Sequence, residues 1–114
     1  MEGRLLKTTL TLPFSRAYGK LYAELALESI NMACDYFQVL NLAKEGKWHQ
    51  AHQLVQPHSD ELSCLLHAYL HRVEGDTDNA SYWYRRAGST MPDNDLQAEF
   101  LRLSSLAETA RNHE

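Results

Sequence analysis

Two histidines and a glutamate near the middle of the chain have the spacing that chemistry on a single helical face requires. His67, His71 and Glu74 are four and three residues apart, so a helix would project all three side chains from one side. Two histidines four residues apart can chelate a transition-metal ion, and a histidine oriented by a glutamate can act as a general base. The spacing therefore predicts a metal site or an acid–base pair.

A second set of polar and aromatic residues follows at helical spacing. Asn79, Tyr82, Trp83 and Arg86 are placed so that a helix would gather them on one face. Folding of the chain into an antiparallel hairpin around Gly75 would bring this face against the histidines. The candidate binding cluster comprises His67, His71, Arg72, Glu74, Asn79, Tyr82, Trp83 and Arg86.

An alternative interpretation makes the same cluster structural. In that interpretation, Glu74 or Asp76 forms a charge-assisted pair with Arg85 or Arg86, and the aromatic side chains belong to the core. Asn79 would then satisfy backbone groups near the turn. The sequence leaves both interpretations open, because each uses the same residues at the same spacing.

Other signs of catalysis are missing from the sequence. Three more histidines lie in the same central stretch, and these are His49, His52 and His58. The chain has no HExxH motif and no glycine-rich phosphate loop, and neither cysteine has ligand spacing to a histidine. The sequence predicts no cofactor; a transition metal is the one that its residues allow, with His67 and His71 as candidate ligands.

Composition narrows the classes of partner. With 15 acidic and 11 basic residues, the chain carries a net charge of −4, which opposes non-specific binding to nucleic acid. No apolar run approaches the roughly 20 residues of a membrane span, and no secretion signal is recognisable. Two cysteines without CxxC spacing favour a reducing, cytoplasmic setting. We expect a protein or peptide partner first, a small ligand second, and a homodimer as an option that the sequence leaves open.

The elements that must position these residues are helical. Residues 1–15 are predicted to form an extended arm, and a long amphipathic segment runs from about Arg16 to Gly46 as one helix or two. A short helix over about 47–55 stops at Pro57. The next helix begins after Ser59 or Asp60, ends at Gly75, and has an apolar face of Leu62, Leu65, Leu66, Tyr69, Leu70 and Val73.

Two further helices complete the prediction. One begins after Asp76 or Asp78 and closes at Gly88, with a packing stripe of Ala80, Trp83, Tyr84 and Ala87. After the MPDND loop, Asp93 or Asp95 caps a final helix whose stripe is Leu96, Phe100, Leu103, Ala107 and Ala110. We therefore predict one all-α domain of five or six helices, with an arm over 1–15, hairpins over 16–92, and a capping helix and tail over 93–114.

An internal repeat relates the two hairpins. Glu45-Gly46 and Ala51 recur 29 residues later as Glu74-Gly75 and Ala80. The second copy resembles a tetratricopeptide repeat, in which small, aromatic and proline positions would be filled by Ala68, Ala80, Tyr84, Ala87 and Pro92. This resemblance implies an array of helical hairpins, with Tyr69 and Arg72 facing a groove that could hold a peptide. In that case Arg72 could not also pair inward with Glu74 or Asp76.

A second resemblance covers only the segment from His67 to Gly88. The pattern H-x-x-x-H-R-x-E-x-D-x-x-N-A-x-Y-W-x-R-R is similar to the signature of a family of small bacterial and fungal proteins to which no activity is assigned. The resemblance thus implies a bacterial or fungal relative but no reaction. Taken together, the sequence predicts a helical binding or scaffolding module with its site on this hairpin, and as the alternative a small metal-dependent or acid–base enzyme using His67, His71 and Glu74.

Overall fold

The computed structural model describes residues 33–112, which form five α-helices and no β-strand. We number these helices in chain order: α1 Tyr36–Lys44, α2 Trp48–Val55, α3 Glu61–Val73, α4 Thr77–Arg86 and α5 Leu96–Asn112. The all-α prediction is confirmed for this part of the chain. The predicted arm and the first half of the long amphipathic segment lie outside the described residues. None of the described helices combines the length and the apolar character needed to cross a membrane.

Aspartates define the beginnings of four helices. Each accepts a hydrogen bond from the backbone N–H three residues later, which satisfies one of the free donors of the first turn, and these caps are Asp35, Asp60, Asp76 and Asp95. Where the sequence offered two candidates, the structure uses Asp60, Asp76 and Asp95 rather than Ser59, Asp78 and Asp93.

Matching glycines close α1 and α3. Gly46 and Gly75 have φ angles of 78° and 87°, a left-handed backbone conformation that side chains with a Cβ disfavour. Ala51 and Ala80, the next matched pair, are both fully buried, as their small size suggested. The internal repeat therefore corresponds to two helix–turn–helix units with the same turn and the same small buried residue.

Helix α3 is the centre of the described fold, because it packs against each of the other four helices. Nine of its 13 residues are buried, including polar ones such as Ser63, His67 and His71, so it has no wide solvent-facing side. Val73, the last residue of the helix and predicted to belong to its apolar face, is 42% exposed.

The packing stripe of α5 differs from the prediction at one end. Leu103 and Ala107 are fully buried as expected, but Leu96 is 39% exposed. Glu99 is instead completely buried. Glu99, Leu103 and Ala107 follow each other at intervals of four residues, so they share one line along the helix. The buried stripe thus begins with a carboxylate that hydrophobicity alone did not reveal.

Candidate functional site

Three histidines from two helices converge in the described part of the chain. His52 of α2 joins His67 and His71 of α3, and one ring nitrogen from each lies within 4.8 Å of the other two. We call these three residues the histidine cluster. His67 and His71 are buried and His52 is half-buried. The structure therefore brings together the two histidines that the spacing singled out and adds a third, which the sequence marked only by its presence in the same stretch.

Trp48 anchors α2 beside the cluster. Its indole stacks on His52 one turn later, with ring centroids 4.7 Å apart, and meets the edge of His71 at 5.8 Å. The indole Nε1–H donates a hydrogen bond of 2.6 Å to the carbonyl oxygen of Leu70 on α3. Because this bond joins the two helices next to the histidines, it fixes the distance across which His52 faces His67 and His71.

The hydrogen bonding of His67 is incomplete. Its Nε2 lies 3.1 Å from Nε2 of His52, so one ring donates to the other. A neutral imidazole has one donor nitrogen and one acceptor nitrogen, and the Nδ1 atom of His67 is buried without a hydrogen-bond partner. Whichever tautomer is present, one nitrogen of this buried ring is unused. Such an atom is uncommon in folded proteins and calls for an explanation.

Glu74 completes the contacts of His71. The Nδ1 atom of His71 lies 2.8 Å from Oε2 of Glu74, and since a carboxylate only accepts, Nδ1 carries the proton that is donated. In the neutral ring, the lone pair is then on the Nε2 atom of His71. Asp76 lies close enough to form a second group of donor atoms with His71 and Glu74, but its carboxylate oxygens accept from Asn79.

Burial favours the neutral form of two members of the cluster, His67 and His52. The pKa of His67 is lowered to about 3, first by burial and then by the nearby charges that His52, His71 and Arg86 can carry. Burial, followed by His71, also lowers the pKa of His52. Both rings therefore offer lone pairs rather than positive charge near neutral pH, which is the form that binds metal ions.

Trp83 and Arg86 cover one side of the cluster. The indole of Trp83 stacks on the His67 ring with centroids 3.8 Å apart and an interplanar angle of 12°. The Arg86 guanidinium lies 4.9 Å from the Trp83 ring centre, and it donates to the Tyr82 hydroxyl at 3.3 Å. Within residues 33–112, Arg86 thus contacts aromatic rings, and it forms no ion pair with Glu74.

Other predicted contacts of the hairpin are also replaced. Asn79 is exposed and binds the Asp76 carboxylate through both its backbone and its side-chain amide, so it belongs to the helix cap. Arg85 is exposed, and it makes no ion pair with Asp76 in the described part of the chain. The turn is therefore stabilised by capping and by the glycine, and the expected carboxylate–arginine pairs do not form.

A second polar cluster, which we call the Glu99 network, lies between α3, α4 and α5. The buried Glu99 carboxylate accepts hydrogen bonds from the Tyr84 hydroxyl at 2.8 Å, from Nδ2 of Asn94 at 2.8 Å, and from two nitrogens of Arg102 at 2.9 and 2.8 Å. Burial alone would raise the pKa of Glu99, but these bonds outweigh it and leave the pKa below its ordinary value. In the sequence, the one sign of this network was the four-residue interval between Glu99 and Leu103.

Arg72 belongs to the Glu99 network rather than to the histidine cluster. Its guanidinium donates to the side chain of Asn94 at 2.8 Å and to the Asn94 backbone carbonyl, and reaches the Tyr84 hydroxyl at 3.5 Å. Tyr69 is only 8% exposed and lies beside Phe100 of α5, with ring centroids 6.1 Å apart. The face assigned to a peptide groove is therefore covered by α5 at these two residues.

The chain matches no model of a protein family, no curated protein and no solved structure.

Proposed function

We propose that this chain is a small helical binding module whose ligand is a divalent transition-metal ion held by His52, His67 and His71. The observation that supports this proposal most strongly is the convergence of three ring nitrogens within 4.8 Å of one another.

The separations suit a small ion. With zinc–nitrogen distances of roughly 2.0–2.1 Å, neighbouring donors of a tetrahedral site are about 3.3 Å apart. The His52 and His67 Nε2 atoms are already 3.1 Å apart. The other pairs lie within 4.8 Å, so side-chain rotations that close them by about 1.5 Å or less would complete three bonds. Stacking on Trp48 and Trp83 restricts the rings to nearby orientations, which favours binding by small adjustments.

The donor chemistry selects the class of ion. Imidazole nitrogens suit zinc, copper, nickel and iron, whereas magnesium and calcium prefer carboxylate and carbonyl oxygens. We therefore expect binding of Zn²⁺, Co²⁺, Ni²⁺ or Cu²⁺ and no comparable binding of Mg²⁺ or Ca²⁺. Cys34 and Cys64 are both buried free thiols, which supports a reducing, cytoplasmic setting for the protein.

A catalytic role is the second candidate, and the His71–Glu74 contact of 2.8 Å favours it. Three protein ligands leave a tetrahedral ion one position for water, which is the arrangement of catalytic zinc sites. Without a metal, the same pair would act as a general base and its orienting carboxylate. Binding is preferred over catalysis because His67 and His71 are buried, so a substrate would have to reach the site past the half-buried His52.

Metal titration tests the proposal. Isothermal titration of the tag-free protein with Zn²⁺ should give one site per chain, and Co²⁺ should give a visible spectrum of tetrahedral type. His52→Ala and His67→Ala should each weaken binding at least tenfold, because each removes a ligand. His49→Ala is the matched control, since His49 is an exposed histidine on the same helix, and it should bind like wild type.

Thermal unfolding provides an independent readout. An ion that binds only the native state raises the midpoint in proportion to the logarithm of its concentration, so Zn²⁺ should raise the midpoint of the wild type and of His49→Ala alone. The absence of stoichiometric binding, or equal binding by all four proteins, would contradict the proposal.

For a peptide or protein partner, we propose a surface away from the histidine cluster. Leu101 is 58% exposed and lines a cavity of about 420 Å³ between α1 and α5, together with Ala43, Lys44, Tyr69, Leu96, Gln97 and Phe100. Exposed apolar residues around a concavity are typical of interaction sites. Sedimentation velocity of wild type and Leu101→Asp would reveal self-association, and equal monomeric profiles would exclude a homodimer through this surface.

A further inference from the structure

We infer that Glu74 is the positioning residue of the proposed metal site, which prepares His71 to bind the ion through Nε2. This inference rests on the proposed function, because it assigns a role within the same site. Its geometric basis is the 2.8 Å contact between Nδ1 of His71 and Oε2 of Glu74. In the histidine cluster as the structure describes it, His71 is the ring that a carboxylate orients.

The contact determines which nitrogen of His71 can bind a metal. A carboxylate accepts and cannot donate, so the shared proton belongs to Nδ1 and the lone pair belongs to Nε2. A metal-binding histidine commonly donates its other N–H to a carboxylate in this way, and loss of that partner weakens metal binding about 10- to 100-fold. Without Glu74, the ring could adopt either tautomer and more than one orientation.

The position of Glu74 at the end of α3 allows its carboxylate to reach His71. Glu74 is the residue after the last turn of α3, directly before Gly75, and its side chain is 37% exposed. Glu45 occupies the corresponding place after α1, directly before Gly46, and its exposed carboxylate pairs with Lys47 at 3.3 Å. Both glutamates thus end a helix in the same way, but only Glu74 meets a histidine.

This pair of glutamates supplies a matched experiment. Zinc affinity, measured by competition with a chromophoric chelator, should fall about 10- to 100-fold in Glu74→Ala. Glu74→Gln should lie between Glu74→Ala and wild type, because an amide oxygen still accepts the hydrogen bond but carries no charge. Glu45→Ala should match wild type, since it removes a carboxylate at the same kind of helix end without touching the site.

A second readout separates orientation from folding. Nitrogen-15 NMR of the metal-free protein should show His71 protonated at Nδ1 in wild type and in Glu45→Ala, and a mixture of tautomers in Glu74→Ala. Equal zinc affinities for Glu74→Ala and wild type, with binding still lost in His67→Ala, would overturn the role of Glu74 alone. Equal losses in Glu74→Ala and Glu45→Ala would overturn it as well, because the effect would then come from the helix end. Failure of the wild type to bind zinc would overturn the proposed function itself.

Discussion

The histidine cluster and the Glu99 network are both buried polar groups beside α3, but they differ in how completely they are paired. In the Glu99 network, one carboxylate receives hydrogen bonds from Tyr84, Asn94 and Arg102. In the histidine cluster, the rings are packed between indoles, and the Nδ1 atom of His67 has no partner. The carboxylate of the first site is fully paired, whereas the second site is incompletely paired.

This difference separates a structural role from a binding role. A fully paired buried network holds together the helices that carry its side chains. Removing one member leaves the others buried without partners, which destabilises the fold. Here the network fastens α5 to α3 and α4 through Arg72, Tyr84 and Glu99. An incompletely paired cluster contributes less to folding and can still exchange its weak internal contacts for a ligand. The two sites should therefore differ in the size of their response to mutation, in the pH range over which they affect stability, and in their response to metal.

The largest effect is expected from Glu99→Ala. It leaves the buried Tyr84 hydroxyl and the half-buried Asn94 amide without their acceptor, so the free energy of unfolding should fall by about 3–5 kcal/mol, measured by urea denaturation. Glu108→Ala is the control on the same helix, because Glu108 is exposed and its pairing with Arg111 is loose at 3.9 Å. That change should cost less than about 0.5 kcal/mol. A small effect of Glu99→Ala would remove the distinction between the two clusters.

The next effect is a loss of stability between pH 7 and pH 5. The folded pKa of His67 is about 3, whereas an unfolded histidine titrates near 6.5, so below that value the unfolded chain binds a proton that the native chain does not. Stability must then fall with falling pH, by up to about 1.4 kcal/mol per pH unit and roughly 2 kcal/mol by pH 5.

Two comparisons test whether this loss of stability at acidic pH comes from the histidine cluster. Glu99 also has a lowered pKa, but its contribution is lost only below its ordinary value of 4.5, so the window from pH 6.5 to pH 5 reports on the histidine cluster. Urea denaturation at several pH values should show a shallower slope in His67→Leu than in wild type. An unchanged slope would mean that another group carries the effect.

Tyr84→Phe should have a moderate effect. It removes the hydroxyl that donates to Glu99 at 2.8 Å and keeps the ring, which is fully buried. Loss of one hydrogen bond to a buried charged group should cost about 1.5–3 kcal/mol, again by urea denaturation. Tyr82→Phe removes an exposed hydroxyl bound to Arg86, and it should change stability by less than about 0.5 kcal/mol.

Among changes within the two sites, the smallest effect on stability is expected from His67→Leu in metal-free protein. Leucine has a similar volume and no unpartnered nitrogen, so the loss of the His52 contact is offset, and stability should change by less than about 1 kcal/mol. Zinc binding should be abolished in the same variant. A destabilisation as large as that of Glu99→Ala would show that the histidine cluster is structural.

The helices and their ends follow from local patterns in the sequence. The apolar periodicity, the capping aspartates and Gly46 and Gly75 act through contacts within a few residues, so α2, α3 and α4 could be predicted with their bounds. The pairing of His67, His71 and Glu74 was equally accessible, because it lies along one helix and its end. The 29-residue repeat related the two hairpins for the same local reason.

Which polar groups meet across helices depends instead on how the helices pack. His52 reaches His67 because α2 packs on α3, and Arg72 turns towards Asn94 because α5 covers that side. Glu99 is buried because the Arg102 and Tyr84 side chains pair with it, which no periodicity reveals. Contacts between distant residues depend on the packing of whole helices, so the sequence identified ligands one helix at a time and only the fold assembled the site.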